Sequence, residues 1–318
     1  MAKKSGRRGA AEEMGGARGA YIGVDLGGTN MQIGVVVGDK VLGRCKHKTR
    51  AEEGSKHVVD RIADGIRRAC KEAGIGPDKL AGIGVGAPGA IDHRKGVVLE
   101  APNLRWNNFP LAKELAKRVK GPPIVIDNDV NVAVHGENRL GAGQNASDVL
   151  GVWIGTGIGG GLVLDGKLYQ GRYGSAGEIG QMTLFPNAAL GNRTLEENCS
   201  RKHLARRLAQ LVASNRPSML TKITGGEIAA AGAGAIAEAY HKGDALTRMV
   251  VDEATDLLGL AIGGCVTLLS LELVILGGGM AEAMGDVYVR RVSAAMGKVV
   301  FPASLKRVRV VATELADN

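Results

Sequence analysis

Three short stretches of the sequence concentrate the residues able to do chemistry. "IVIDNDVN" closes an apolar run with two carboxylates, Asp127 and Asp129, on either side of the amide of Asn128. Side chains alternate along an extended strand, so the two aspartates face one way and Asn128 the other unless the chain turns there. A carboxylate in such a place can accept a proton from a reacting group. Asp129 also stands directly before the apolar pattern "VNVAVHGENRL", where it would cap a helix. The second and third stretches, "DLGGTN" and "GTGIGGG", are glycine corners carrying a threonine, and each allows a phosphate to approach the backbone. A further glycine cluster, Gly277, Gly278 and Gly279, follows the apolar run Leu273 to Leu276 and opens a helical pattern. Such a junction serves a nucleotide, or merely lets a helix pack tightly on a strand.

The elements around these residues narrow the choice. A dinucleotide fingerprint needs three spaced glycines and then a helix, whereas Gln32 to Val37 reads as a second strand. No Gly-Lys-Ser/Thr follows the glycines, so the Walker pattern fails as well. Taken alone, the first corner is an ordinary hairpin turn. Its neighbours, "YIGVD", "QIGVVVG" and "KVLGRCKHK", predict three consecutive strands, and "HVVDRIADGIRRACKEAG" places Val58, Ile62, Ile66 and Ala69 on one helical face. "LAGIGVGAPG" predicts a buried strand, "FPLAKELAKRV" a short helix opened by Pro110, and "PPIVID" a strand ending at Asp127. The second half restarts in the same order: in "VLGVWIGTGIGGGLVLDGKLYQG" a strand, a Gly/Thr corner, a strand, an Asp-Gly turn and a short return strand. The two halves thus look like an internal duplication of one hairpin unit. Two facing corners would grip a polyphosphate from both sides.

Composition bounds the class. With 318 residues, 45% of them hydrophobic, the chain has enough material for two α/β domains, and its low aromatic content of 3% implies a core of Val, Ile, Leu and Ala. No apolar run approaches the roughly 20 residues of a membrane helix, and no signal core opens the chain, so neither a membrane partner nor export is expected. Cytoplasmic location follows as the expectation. The four cysteines, Cys45, Cys70, Cys199 and Cys265, lack paired spacing and read as inert thiols. Much of the net charge of +9 sits in "MAKKSGRRGAAEEMGGARG", so residues 1–20 read as a disordered basic tail, too short for a helix-turn-helix domain. No nucleic-acid partner is expected.

In order along the chain, "GVDLGGTN", "GVGAPGAID", "APNLRW", "IDNDVNVAVHGENRLGAG", "IGTGIGGGLVLDGKLYQGRYGSAGEIGQMTL" and "VILGGG" resemble segments of the ROK family of sugar kinases and related repressors. The resemblance runs from about Ile22 to the C-terminus. It implies the actin-like, hexokinase-like ATPase fold, two ribonuclease-H-like α/β domains with a cleft between them. The expected division is a small N-terminal domain of residues 21–132 plus 303–318 and a larger domain of residues 133–302. The activity implied is ATP-dependent phosphorylation of a hexose, with glucose to glucose 6-phosphate foremost. N-acetylmannosamine, N-acetylglucosamine, mannose and fructose are the other acceptors, polyphosphate the other donor, and a sugar-sensing regulator the contrasting class. A homodimer or homotetramer is the family's usual assembly.

Carried over position by position, the resemblance assigns Gly27, Gly28 and Thr29 at the first corner, and Thr156 and Gly157 at the second, to the ATP phosphates. Gly277, Gly278 and Gly279 would lie against the adenosine. Asp25 would orient water on Mg²⁺, a hard cation that usually keeps several waters while bridging phosphates, although a turn-capping role competes. Asp129 is selected as the base, with Asn103, Asn128, Glu178 and Glu196 holding sugar hydroxyls, because a carboxylate can accept from two vicinal hydroxyls. Trp106 is expected to pack rather than stack on the sugar.

Two departures stand out. After "GEIG" the family usually has a histidine, followed by a cysteine-rich loop that binds zinc, whereas here Gln181 stands in that place and the next loop offers Cys199 alone. No zinc site is expected, and Gln181 would meet a sugar hydroxyl without a metal to orient it. Sequences of this kind also continue past "ATELADN" into a further short helix, whereas this one stops at Asn318.

Overall fold

A computed structural model of the chain describes residues 19–315; all but the last two residues of the basic segment 1–20 lie outside them. The chain divides into two compact units, residues 1–132 and 133–318.

In the first unit, β1 (Ala20–Leu26), β2 (Asn30–Val37) and β3 (Lys40–Lys48) form an antiparallel meander. Helix α1 (Ser55–Ala73) then crosses to β4 (Leu80–Ala87), which pairs parallel with β1. The predicted face of α1 is the buried one: Val58, Ile62, Ile66 and Ala69 are all fully shielded from solvent. Gly43 in β3 makes that docking possible, since a Cβ there would collide with the Ala69 carbonyl. A small antiparallel sheet follows, β5 (Ala90–Asp92), β6 (Val97–Ala101) and β7 (Trp106–Phe109), which the sequence patterns do not announce. Helix α2 (Leu111–Ala116) begins after Pro110, and β8 (Ile124–Asn128) adds parallel to β4, giving the sheet order β3-β2-β1-β4-β8. The chain passes from β8 directly into α3 (Asp129–Leu140), and the division between the units falls within that helix.

The second unit repeats the plan. Strands β9 (Val149–Ile154), β10 (Ile158–Leu164) and β11 (Lys167–Tyr169) form the second meander. A helical section of α4 (Glu196–Cys199), α5 (Arg201–Ala213), α6 (Leu220–Ile223), α7 (Ala233–His241) and α8 (Ala245–Leu269) precedes β12 (Leu273–Gly277). After β12 come α9 (Gly278–Met284), α10 (Asp286–Gly297) and β13 (Arg309–Ala312). The order β11-β10-β9-β12-β13, with β12 and β13 parallel to β9, matches the first sheet strand for strand. The duplication seen in one hairpin therefore extends to a whole five-stranded sheet.

This matching corrects one boundary. Residues 303–318 were expected to rejoin the N-terminal domain, yet β13 is the edge strand of the second sheet, pairing Leu273 with Arg309 through Leu276 with Ala312. Its continuation is held by Glu137 on α3, a buried carboxylate. Glu137 accepts from the Thr313 hydroxyl, from Glu314 N at 3.1 Å and from Leu315 N at 2.8 Å. Such donors satisfy a carboxylate that would otherwise be costly to bury.

Candidate functional site

The first corner sits between β1 and β2, beyond the closing pair Leu26–Met31. Leu26 and Met31 are fully buried, which fixes one face of the hairpin and turns Asp25 to the exposed face, one residue before the closing pair. Gly27 cannot carry a side chain, because a Cβ would press on the Asn30 carbonyl at 2.7 Å. Thr29 is exposed, whereas the loop carbonyls are held from outside the hairpin: Thr49 donates its hydroxyl to Gly27 O at 2.6 Å and its N–H to Thr29 O at 2.8 Å. Thr49 is fully buried. Asn103, in the short helical turn Pro102–Leu104, packs over Gly28, its Cβ 3.1 Å from where a Gly28 Cβ would stand. Trp106 is 5% exposed and tilts against Phe109 with centroids 4.5 Å apart, so it packs.

At the end of β8 the chain does turn, and strand alternation ceases to apply at Asp129. Asn128 is the residue that caps α3: its Oδ1 accepts from Val130 N at 2.9 Å and Asn131 N at 3.1 Å, while its Nδ2 donates to Gly89 O at 3.1 Å. That occupation leaves Asn128 little capacity for a sugar. Asp129 is thereby relieved of capping, and its Oδ1 accepts from Val130 N at 2.9 Å. Burial raises the Asp129 carboxyl above its ordinary value, opposed by the backbone N–H groups of Val130 and Asp129 and by the Asn128 side chain. Asp127 is engaged differently, accepting from Asn128 N at 2.7 Å and from the Asn131 side chain at 3.1 Å.

In the second unit the corner is Gly155, Thr156 and Gly157, closed by Ile154–Ile158 pairing and by Gly155 N donating to Gly157 O at 2.9 Å. Thr156 is exposed. Glu196, at the start of α4, reaches this corner: its Oε2 accepts from Ile158 N at 2.7 Å and occupies the space a Gly157 side chain would need. One of its two oxygens is therefore already committed. Gly177 and Gly180 lie tightly on β10, with Gly160 O 2.7 Å from a Gly177 Cβ, and this seats the exposed side chains of Glu178 and Gln181 beside the same strand. The structure thus gathers Thr156, Gly157 and Glu196 in one cluster and places Glu178 and Gln181 along the adjoining strand.

The remaining glycines divide. A Cβ at Gly277 would strike the Trp153 indole, and Gly278, at φ 81°, lies against the Ile154 backbone at 2.9 Å, so both serve tight packing at the β12–α9 junction. Gly279 is exposed, with Ala233 as its nearest neighbour at 3.7 Å. Cys199 is buried, its thiol donating to Ala254 O at 3.4 Å and pushed up to about 12 by burial, which leaves it a packing residue. Among the described residues no group of three or more His, Cys, Asp and Glu side chains is arranged to hold a metal. None of their helices is long and apolar enough to cross a membrane. Two participants escaped the sequence reading: Thr49 at the first corner, and Arg201, which donates from Nη2 to Thr156 Oγ1 at 2.9 Å at the second.

A duplicated five-stranded α/β sheet with a glycine/threonine corner in each copy defines the class, the actin-like ATPase fold as sugar kinases carry it. The chain belongs to the ROK family, which it matches over residues 21–318. It is 34% identical to a glucokinase of Thermotoga maritima over 303 residues, 93% of each chain. It is also 28% identical to a xylose repressor of Caldicellulosiruptor bescii, over 99% of this chain and 79% of the repressor. Among solved structures, a ROK family glucokinase from Streptomyces griseus in complex with glucose and AMPPNP superposes with a TM-score of 0.81 at 29% identity, covering 94% of this chain and 95% of that one.

Proposed function

We infer that the chain is an ATP-dependent glucose kinase, transferring the terminal phosphoryl group to glucose to give glucose 6-phosphate. The observation that carries this reading is Asp129: Asn128 caps α3 in its place, so a carboxylate stands at the strand–helix junction without serving as the helix cap. The glucokinase relatives support glucose as acceptor, and the AMPPNP complex of the Streptomyces griseus enzyme supports ATP as donor.

Phosphoryl transfer passes through a loose transition state, so alignment and charge stabilisation do most of the work. In this proposal Asp129 orients the glucose hydroxyl and accepts its proton late. Asn103, the second oxygen of Glu196, Glu178 and Gln181 bind the other hydroxyls, and Asn128 contributes chiefly by holding Asp129 in place. Gly27, Gly28 and Thr29 at one corner, and Thr156 and Gly157 at the other, receive the phosphates. Gly279 has the open backbone suited to the adenosine, with Gly277 and Gly278 shaping the junction behind it. Mg²⁺ suits the exposed Asp25, a hard oxygen donor, and when bound would neutralise phosphate charge.

A cytoplasmic location belongs to the same proposal, because the donor is ATP and the four free thiols suit a reducing compartment. Assembly as a homodimer or homotetramer is supported by apolar surface on the second unit, where Leu268 is 83% and Phe301 75% exposed. The similarity to a xylose repressor keeps a sugar-responsive regulator as the second reading. ADP release measured over a panel of hexoses, with ATP and polyphosphate compared as donors, separates the two. Turnover highest on glucose with ATP is expected; sugar binding with no turnover on any pair would favour the regulator.

A further inference from the structure

Arg201 opens α5, and its main chain is tied to the second corner through its N–H to Gly155 O at 3.0 Å. Its guanidinium bends back to the same corner, with Nη2 donating to Thr156 Oγ1 at 2.9 Å and Nη1 to Ala231 O at 3.0 Å. Both acceptors are neutral. A guanidinium carries five N–H donors, so about three remain unused. Among the described residues Arg50, Arg68, Arg118, Arg207 and Arg291 meet carboxylates, whereas Arg201, like Arg61, Arg193 and Arg248, donates to neutral oxygens and forms no ion pair. A cation held by neutral oxygens beside an exposed threonine, with N–H donors to spare, is an arrangement that can take an anion.

We propose that Arg201 binds the phosphate chain of the nucleotide donor at the second corner. The planar fork offers paired N–H donors to phosphate oxygens, and the Thr156 hydroxyl, accepting from Nη2, keeps its own proton to donate to the same anion. Lys202 and Arg206, exposed on the same helix, add to the positive potential there. The inference rests on reading this corner as a phosphate site. Its rival is a purely structural one, in which Arg201 only staples the corner to the loop at Ala231.

The two separate in a calorimetric binding series of adenosine, AMP, ADP and AMPPNP against wild type, Arg201→Ala and Arg201→Lys, with thermal unfolding as the check on folding. Loss of charged hydrogen bonds to phosphate should weaken AMPPNP and ADP by roughly 10- to 100-fold in Arg201→Ala while leaving adenosine within about twofold. Arg201→Lys should recover part of the loss, and KM for ATP should rise with KM for glucose unchanged. Equal weakening of adenosine and AMPPNP, or wild-type AMPPNP affinity in Arg201→Ala, would overturn the proposal. Binding does not depend on turnover, so a wild-type protein that binds AMPPNP and shows this pattern but phosphorylates no sugar would sink the kinase reading alone. A wild type that binds none of the nucleotides would sink both.

Discussion

Asp129→Asn is the substitution whose consequences the structure specifies most fully. The asparagine keeps an Oδ1 to accept the Val130 N–H, and the cap of α3 is untouched because Asn128 provides it. What disappears is the proton acceptor. General-base assistance contributes about 10²- to 10⁴-fold, equivalent to about 3–5 kcal/mol of barrier, so kcat should fall by that factor while glucose affinity stays within about threefold. Stability should move the other way. Burial raises the carboxyl in the folded state, so the unfolded chain binds fewer protons than the folded one between the two pKa values. Ionising Asp129 therefore costs stability as pH rises from the ordinary carboxylate value of about 3.9 through the raised folded one. The variant should equal or exceed wild type in urea unfolding at pH 7, and the difference should vanish at pH below both values. For the same reason the acid limb of the wild-type kcat profile should lie above the ordinary aspartate range. A coupled assay for glucose 6-phosphate and parallel urea titrations read both effects. Turnover within threefold of wild type would remove Asp129 from the mechanism, and a variant clearly less stable at pH 7 would refute the desolvation argument.

Thr49→Val removes the 2.6 Å bond to Gly27 O while keeping the shape of the side chain, so about 1 kcal/mol of corner stability should be lost. Steady-state kinetics should show KM for ATP raised about fivefold with KM for glucose unchanged. Asn128→Ala deletes the cap of α3 and should cost about 1–2 kcal/mol in urea unfolding, with Asn128→Asp recovering most of it. Asp25→Asn should raise the Mg²⁺ concentration needed for half-maximal turnover without altering glucose binding by calorimetry; an unchanged Mg²⁺ requirement would return Asp25 to a turn-capping role.

The parts of the fold that were legible are those where periodicity and turn chemistry agree. The β1–β2–β3 meander, the buried stripe of α1 and the matching meander of the second half follow from alternation, 3.6-residue spacing and glycine corners. The β5–β6–β7 sheet was not legible, since its strands are 3 to 5 residues long and the last two are joined through Pro102 and the left-handed Arg105. Where β13 belongs was hidden for another reason: a short valine-rich run identifies a strand without naming its partner, and here the partner is β12. At the candidate site the reactive types were visible, but their division of labour was not. Strand alternation grouped Asp127 with Asp129, whereas α3 starts at Asp129 and makes Asn128 the cap. Thr49 and Arg201 lie 22 and 45 residues from the corner residues they hold, a separation no local pattern bridges.

The central claim is that this ROK family member phosphorylates glucose. Phosphorus NMR of the protein with glucose, ATP and Mg²⁺ tests it most directly. The expected spectrum shows a sugar 6-phosphate resonance growing in step with ADP, at a rate that collapses in Asp129→Asn. ATP left intact in the presence of bound glucose, or ADP formed with no sugar phosphate, would contradict it.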